Sequence, residues 1–121
     1  MATVSAVISP VNSYRDDAHV ISWANIGTTD NVGSSEPVPG SHIKSVQFDG
    51  TFGAAATITL EGSNNGSNWV VLTDLQGNSI SKTSAAIEGI QEHTRYVRPK
   101  LASGGDGSTA IDITLFVKRI R

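Results

Sequence analysis

The 121-residue sequence contains no cysteine, which excludes disulfide staples, thiolate zinc sites, iron–sulfur clusters and thiol nucleophiles together. The absence permits a cytosolic origin without requiring one. No run approaches the roughly 18 consecutive apolar residues of a membrane-spanning helix. The opening Met1-Ala2-Thr3-Val4-Ser5-Ala6-Val7-Ile8 has neither the basic stretch nor the long apolar core of a secretion signal. A soluble protein made without such a signal is expected. Excess charge of one sign is also missing: the formal net charge is −2, so no global field draws the chain to nucleic acid.

The charge that is present is unevenly spread. Before Arg95, three bases (Arg15, Lys44, Lys82) stand against nine acids, a net −6; from Arg95 onward six bases stand against Asp106 and Asp112, a net +4. The basic C-terminal part reads either as a contact face for an acidic partner or as solvated positions on outer strands. A chain of this length is expected to form one domain. It buries roughly two-thirds of the surface its unfolded form exposes, enough for one core without staples.

Periodicity predicts strands nearly throughout. Ile111, Ile113, Leu115 and Val117 alternate with Ala110, Asp112, Thr114, Phe116 and Lys118, a period of two with β-branched residues on the inner face. Ala56, Ile58 and Leu60 alternate with Thr57, Thr59 and Glu61, and Val46 and Phe48 with Ser45, Gln47 and Asp49; Gly50 to Gly53 reads as a turn between them. Trp69 to Thr73 follows Gly62-Ser63-Asn64-Asn65-Gly66-Ser67-Asn68, whose Gly and Asn residues tolerate positive φ and suit a hairpin. Further short strands are expected at His19 to Asn25, Ser79 to Lys82, Ala85 to Ile90 and Arg95 to Leu101. Pro99 cannot donate to a ladder, so the last of these is expected to be an edge or to break there. Ser103 to Ser108 is a polar, Gly-rich loop, and only Thr83 to Glu92 has room for a helical turn. Seven or eight short strands with turn chemistry between them predict an all-β domain, a β-sandwich or jelly roll, with barrel closure as the alternative.

The N-terminal third differs. Residues 2–11 are apolar and β-prone but interrupted by Pro10, and Gly27 to Gly40 is polar with Pro37 and Pro39, a length at which loops are usually functional or disordered. Residues 1–17 are read as an extended arm that pairs with a sheet edge or lies on a neighbouring chain, with a simple first strand as the other reading, and residues 18–121 as the β-sandwich domain.

Catalytic and cofactor patterns fail one by one. His19, His42 and His93 are scattered without metal-ligand spacing, and Asp16-Asp17 and Asp106 lack the ligand run of a calcium loop. No G-x-S-x-G elbow is present, and Gly104-Gly105-Asp106-Gly107 lacks the Lys-Ser/Thr and helix of a phosphate loop. The expectation is a protein that is not an enzyme and uses no cofactor or metal. Aromatic residues are few, at 6%, and most fall where a sandwich core takes them; Trp69 is expected to pack over the Asn-rich hairpin rather than stack on a sugar. Phe116 is the exception, because it shares its strand face with Asp112, Thr114 and Lys118, and an outward aromatic suggests an interface. Arg95 and Arg98 flank Tyr96-Val97, placed for bidentate pairs with carboxylates of another chain or for an internal ion pair. The candidate partner-contacting residues are therefore Val4, Val7, Ile8, Arg95, Arg98 and Phe116.

Three stretches carry a resemblance: Val46-Gln47-Phe48-Asp49-Gly50-Thr51-Phe52-Gly53, then Ala56 through Gly62-Ser63-Asn64-Asn65-Gly66-Ser67-Asn68-Trp69, then Arg95-Tyr96-Val97-Arg98-Pro99. Residues 43–121 resemble small structural proteins of tailed-bacteriophage virions, although the strand–hairpin–strand part of the pattern also occurs in carbohydrate-binding sandwiches. The resemblance implies a capsid cement or decoration protein, typically a homotrimer, that sits on the surface of the assembled head, contacts the major capsid protein and clamps neighbouring capsomers, without nucleic-acid or membrane partners. Residues 1–42 match no part of that pattern. A carbohydrate-binding or tail-associated adhesin module and a head–tail component are the alternatives.

Overall fold

A computed structural model describes residues 3–10, 18–38 and 43–118. The sequence expectations for residues 11–17, His42 and Arg119 fall outside the described residues. Twelve strands are formed among the described residues: β1 (Thr3–Val4), β2 (Val7–Pro10), β3 (Ala18–Ile26), β4 (Val32–Gly33), β5 (Glu36–Pro37), β6 (Ile43–Thr51), β7 (Thr57–Ser63), β8 (Val70–Val71), β9 (Ser81–Lys82), β10 (Ala86–Gly89), β11 (Tyr96–Ser103) and β12 (Ala110–Lys118). Sheet I has the order β1-β4-β11-β7-β8, with β5 also paired to β11 and β9 to β7; sheet II has the order β10-β6-β12-β3-β2. The two sheets face each other as the expected β-sandwich, and no helical turn interrupts Thr83 to Glu92. Every ladder is antiparallel except β1 with β4.

The period-two residues make the core. Ile21, Trp23 and Ile26 of β3, Val46 and Phe48 of β6 and Ile111, Ile113, Leu115 and Val117 of β12 are buried from sheet II; Ile58, Leu60, Val97 and Leu101 are buried from sheet I. Leu72 and Ile80 join this cluster from the segments flanking β8 and β9. Such burial of aliphatic side chains contributes roughly 1.5–3 kcal/mol each.

Pro99 sits in the interior of sheet I and not at its edge. The β11 strand runs unbroken and pairs with β7 along its length, Pro99 opposite Leu60. On its other flank the partner is broken into β5, opposite Tyr96 and Val97, and β4, opposite Lys100. Leu101 donates its N–H to Asn31 O on that flank, and residues two apart on a strand point the same way, so the missing N–H of Pro99 falls in the gap between β5 and β4. The proline is accommodated by interrupting its neighbour.

The polar stretch from Gly27 is likewise no free loop as far as Val38. It supplies β4 and β5, and Val38 donates to Arg95 O at 2.7 Å. The first residues divide between the sheets: β1 lies beside β4 in sheet I, and β2 lies beside β3 at the edge of sheet II. Ala6, at the crossing, donates its N–H to Ser34 Oγ at 3.0 Å. Residues 3–10 thus supply the outermost strand on one side of each sheet.

Gly104 to Thr109 is tied down by Asp106. Its carboxylate accepts the Ser108 hydroxyl (2.6 Å), the Ser108 N–H (2.9 Å) and the Ala54 N–H (3.0 Å). These bonds, led by the Ser108 hydroxyl, hold the Asp106 carboxyl below its ordinary pKa. Lys82 of β9 and Glu88 of β10 form an ion pair at 2.5 Å from one sheet to the other.

Candidate functional site

The two outward faces of the sandwich differ in chemistry. On sheet II the alternation that sends Ile113 and Leu115 inward sends Thr114 and Phe116 outward, and cross-strand register extends each of these into a row. One row reads Ile87, Gln47, Thr114, Ser22, Val7; the next reads Gly89, Ser45, Phe116, Val20, Ser9. None of these ten residues is charged. Val7 and Ile87 are each 65% exposed, and Phe116, on the central strand, is half-buried. Leu75, also exposed, lies over the bare backbone of Gly89, where a Cβ would meet its Cδ1 at 2.7 Å. Ile43, beside Lys118, adds a further exposed apolar side chain at the margin. The solvent face of an antiparallel sheet normally alternates to polar; an uncharged centre with an aromatic, rimmed by charge, is the composition of a protein interface.

Charge appears at both ends of this face. Asp49 and Asp112 are direct cross-strand neighbours at one end, an arrangement unfavourable by itself. Asp112 Oδ1 accepts the Asn25 N–H at 3.0 Å and Asp49 Oδ1 the Gly50 N–H at 2.8 Å. The loops carrying Asp30 and Asp106 adjoin this end, through Gly27 packed on Thr109 and the Asp106 N–H bonded to Thr109 Oγ1. At the other end stands Lys118, exposed, opposite Ile43 and Ala18.

Sheet I presents a charged outward face instead. Arg98 Nε donates to Glu61 Oε1 at 2.9 Å, and its guanidinium lies 4.1 Å from the centre of the Trp69 ring. Trp69 therefore packs against Arg98, so one face of the indole is covered. Arg95 lies 4.9 Å over Tyr96, and its N–H is bonded to Asn64 Oδ1 at 2.9 Å. The Asn-rich hairpin folds on itself: Asn65 Oδ1 accepts N–H bonds from Ser67 and Asn68, and Gly66, with φ of 76°, passes over Tyr96.

A cavity of about 260 Å³ opens where β6 meets the 75–93 segment, lined by Ile43, Lys44, Leu75, Ile90, Gln91 and His93. Lys44, only 4% exposed, points to the core side opposite Val117 and donates to His93 Nδ1 at 3.2 Å. Burial lowers its pKa, with the Glu92 carboxylate partly offsetting this. Desolvation works to raise the Glu92 pKa, but the Thr73 hydroxyl and N–H bonded to the carboxylate, and the Lys44 charge, outweigh it and leave the pKa lowered. Among the described residues no group of three or more His, Asp or Glu side chains is arranged to hold a metal ion.

The six candidate contact residues are divided by the structure. Val7 and Phe116 share the outward face of sheet II. Val4 packs against the core, and Ile8, opposite Ile21, takes the inward register at an open edge, where it is 54% exposed. Arg95 and Arg98 belong to sheet I, and Arg98 makes the internal ion pair. Sequence reasoning missed Val20, Ile43 and Ile87. Val20 had a signal, since His19 to Trp23 carries apolar residues in both phases of the alternation. Ile87 had none: in β10 the inward register goes to Ala86, opposite Phe48, and to Glu88, opposite Val46, so the isoleucine faces out while Glu88 reaches Lys82.

No protein-family model matches the chain, and no curated protein matches it. Among solved structures, the enzymatically active domain of tailspike protein 4 from bacteriophage CBA120 aligns at 12% identity with a TM-score of 0.25, over 99% of this chain and 16% of that one. Overlap at that level transfers neither fold nor activity.

Proposed function

We propose that this chain is a virion structural protein of the capsid-decoration type, which acts by docking to other protein chains on an assembled phage head and performs no catalysis. The reading joins the sequence resemblance over residues 43–121 to one structural observation: the uncharged, Phe116-centred outward face of sheet II. A two-sheet core built on residues of nearly zero exposure gives that face a rigid support, which lowers the entropy cost of docking. The charged face of sheet I, with Trp69 covered by Arg98, offers less to a sugar ring than a bare aromatic platform would, and ranks the carbohydrate-binding alternative second. The test is sedimentation of the purified protein with assembled empty phage heads. Co-sedimentation, with added density on the head surface, is expected; protein left in the supernatant at all concentrations would overturn the proposal, and quenching of tryptophan fluorescence by sugars would point to the alternative.

A further inference from the structure

We infer that the outward face of sheet II binds a second copy of this chain, face to face, about a two-fold axis. The inference rests on the reading of that face as a docking surface and narrows it: the occupant, named from charge, is a second copy of this chain, so that the pair meets the head through its remaining surfaces. On β12, Asp112 and Lys118 both point outward, six residues apart, a separation of about 20 Å. Leu115 is midway between them, so Thr114 and Phe116 straddle the midpoint. The acidic end gathers Asp49 and Asp112, with Asp30 and Asp106 adjoining. The basic end carries Lys118, exposed, opposite Ile43 and Ala18.

A dyad lying between the two faces and perpendicular to β12 reverses the strand direction of one copy. Each Lys118 end then meets the Asp49–Asp112 end of the other copy, while the two Phe116 rows meet near the axis. A dyad parallel to the strands would instead place like ends together and repel. Opposite charge at opposite ends of an uncharged face is self-complementary in the sense an isologous interface requires. The face measures about 20 by 20 Å, from five strands roughly 4.8 Å apart, so a face-to-face pair buries about 800 Å² in total, below the range of standard specific interfaces, and the association is expected to be weak and reversible. The cyclic trimer implied by the resemblance would pair unlike patches and has no such match on this face.

Sedimentation velocity of the full chain across a wide concentration range tests this. The expected result is a monomer–dimer equilibrium, reaching twice the 12.7 kDa chain mass and weakening with salt. Phe116→Lys is expected to raise the dissociation constant at least about tenfold, as truncating or charging a central aromatic contact does; Val7→Lys, at a 65% exposed edge position, repeats the test if the first variant loses its fold. Lys118→Asp and Asp49→Lys should each weaken the dimer, and the double variant should recover it. A monomer at all concentrations, a trimer, or a double variant weaker than both single ones would overturn the inference. Head co-sedimentation separates the two claims: a monomer whose head binding is abolished by Phe116→Lys assigns the face to the shell and sinks only the dimer, whereas a dimer that never pellets with heads sinks only the decoration reading.

Discussion

Replacing Gly33 by alanine adds one methyl group where the sandwich has no room for it. A Cβ at this position would stand 2.6 Å from Pro99 Cδ, 2.7 Å from Pro99 Cγ and 2.6 Å from Trp23 Cδ1, whereas carbon atoms pack comfortably at about 3.5–4.0 Å. Neither neighbour is free to retreat. Trp23 has no exposed surface, Pro99 is fully buried, and the Trp23 indole N–H is held by Ser34 O at 3.0 Å, one residue beyond the glycine itself. The methyl must therefore displace β4 from β11 or push the indole off its hydrogen bond. Overpacking of a tight core costs about 1–3 kcal/mol, and two rigid rings with a coupled hydrogen bond place this site near about 3 kcal/mol. With a urea m-value of about 1–3 kcal/mol/M, the unfolding midpoint should fall by about 1 M or more at unchanged m. Gly107→Ala is the control, since nothing lies within 4 Å of its Cβ; it should leave stability within about 0.5 kcal/mol or raise it slightly by restricting the unfolded chain. Should Gly33→Ala unfold at the wild-type midpoint, the close contact of β4 with Pro99 and Trp23 is not as described.

Trp23→Phe removes the donor to Ser34 O and leaves that carbonyl facing an apolar ring, which should cost about 1–3 kcal/mol, read as a lowered thermal midpoint. Arg98→Ala strips the partner from Glu61, which is 9% exposed, and should cost about 1–3 kcal/mol while shifting Trp69 emission; Arg98→Lys should restore part of the stability but not the emission, because the planar cation over the ring is lost. An unchanged emission in Arg98→Ala would contradict the stacking. Glu92 has a lowered folded pKa, so the folded state binds protons less readily than the unfolded chain. The stability it contributes is full above its ordinary value of 4.5 and is lost as pH falls through the lower folded value. Urea midpoints measured from pH 6 downward should decline in the wild type and decline less steeply in Glu92→Gln; equal slopes would remove Glu92 from the acid response.

Much of this architecture was legible because strand burial is written in period two. The alternation at Ala110 to Lys118, at Val46 to Phe48 and at Ala56 to Leu60 named in advance the residues that became the inner faces of β12, β6 and β7. The Asn–Gly run before Trp69 marked the hairpin between β7 and β8. The outward position of Phe116 was also readable, because one fixed inner phase on a strand fixes the other. Pro99 misled for a physical reason: a missing N–H forbids one ladder bond, and a sequence does not say whether the strand or its neighbour will yield.

Composition and alternation by themselves settled an all-β chain without thiol chemistry, whose inner faces are aliphatic and whose last strand carries an outward aromatic. Which outward residues stand side by side was decided only by tertiary pairing. Val7, Val20, Phe116 and Ile87 come from four strands scattered over the chain and share one face because β10, β6, β12, β3 and β2 fall in that order. Register has the same character. One residue of slip in β10 would bury Ile87 and expose Glu88; the observed register instead brings Glu88 to Lys82 on the facing sheet, a contact between sheets that local pattern does not contain.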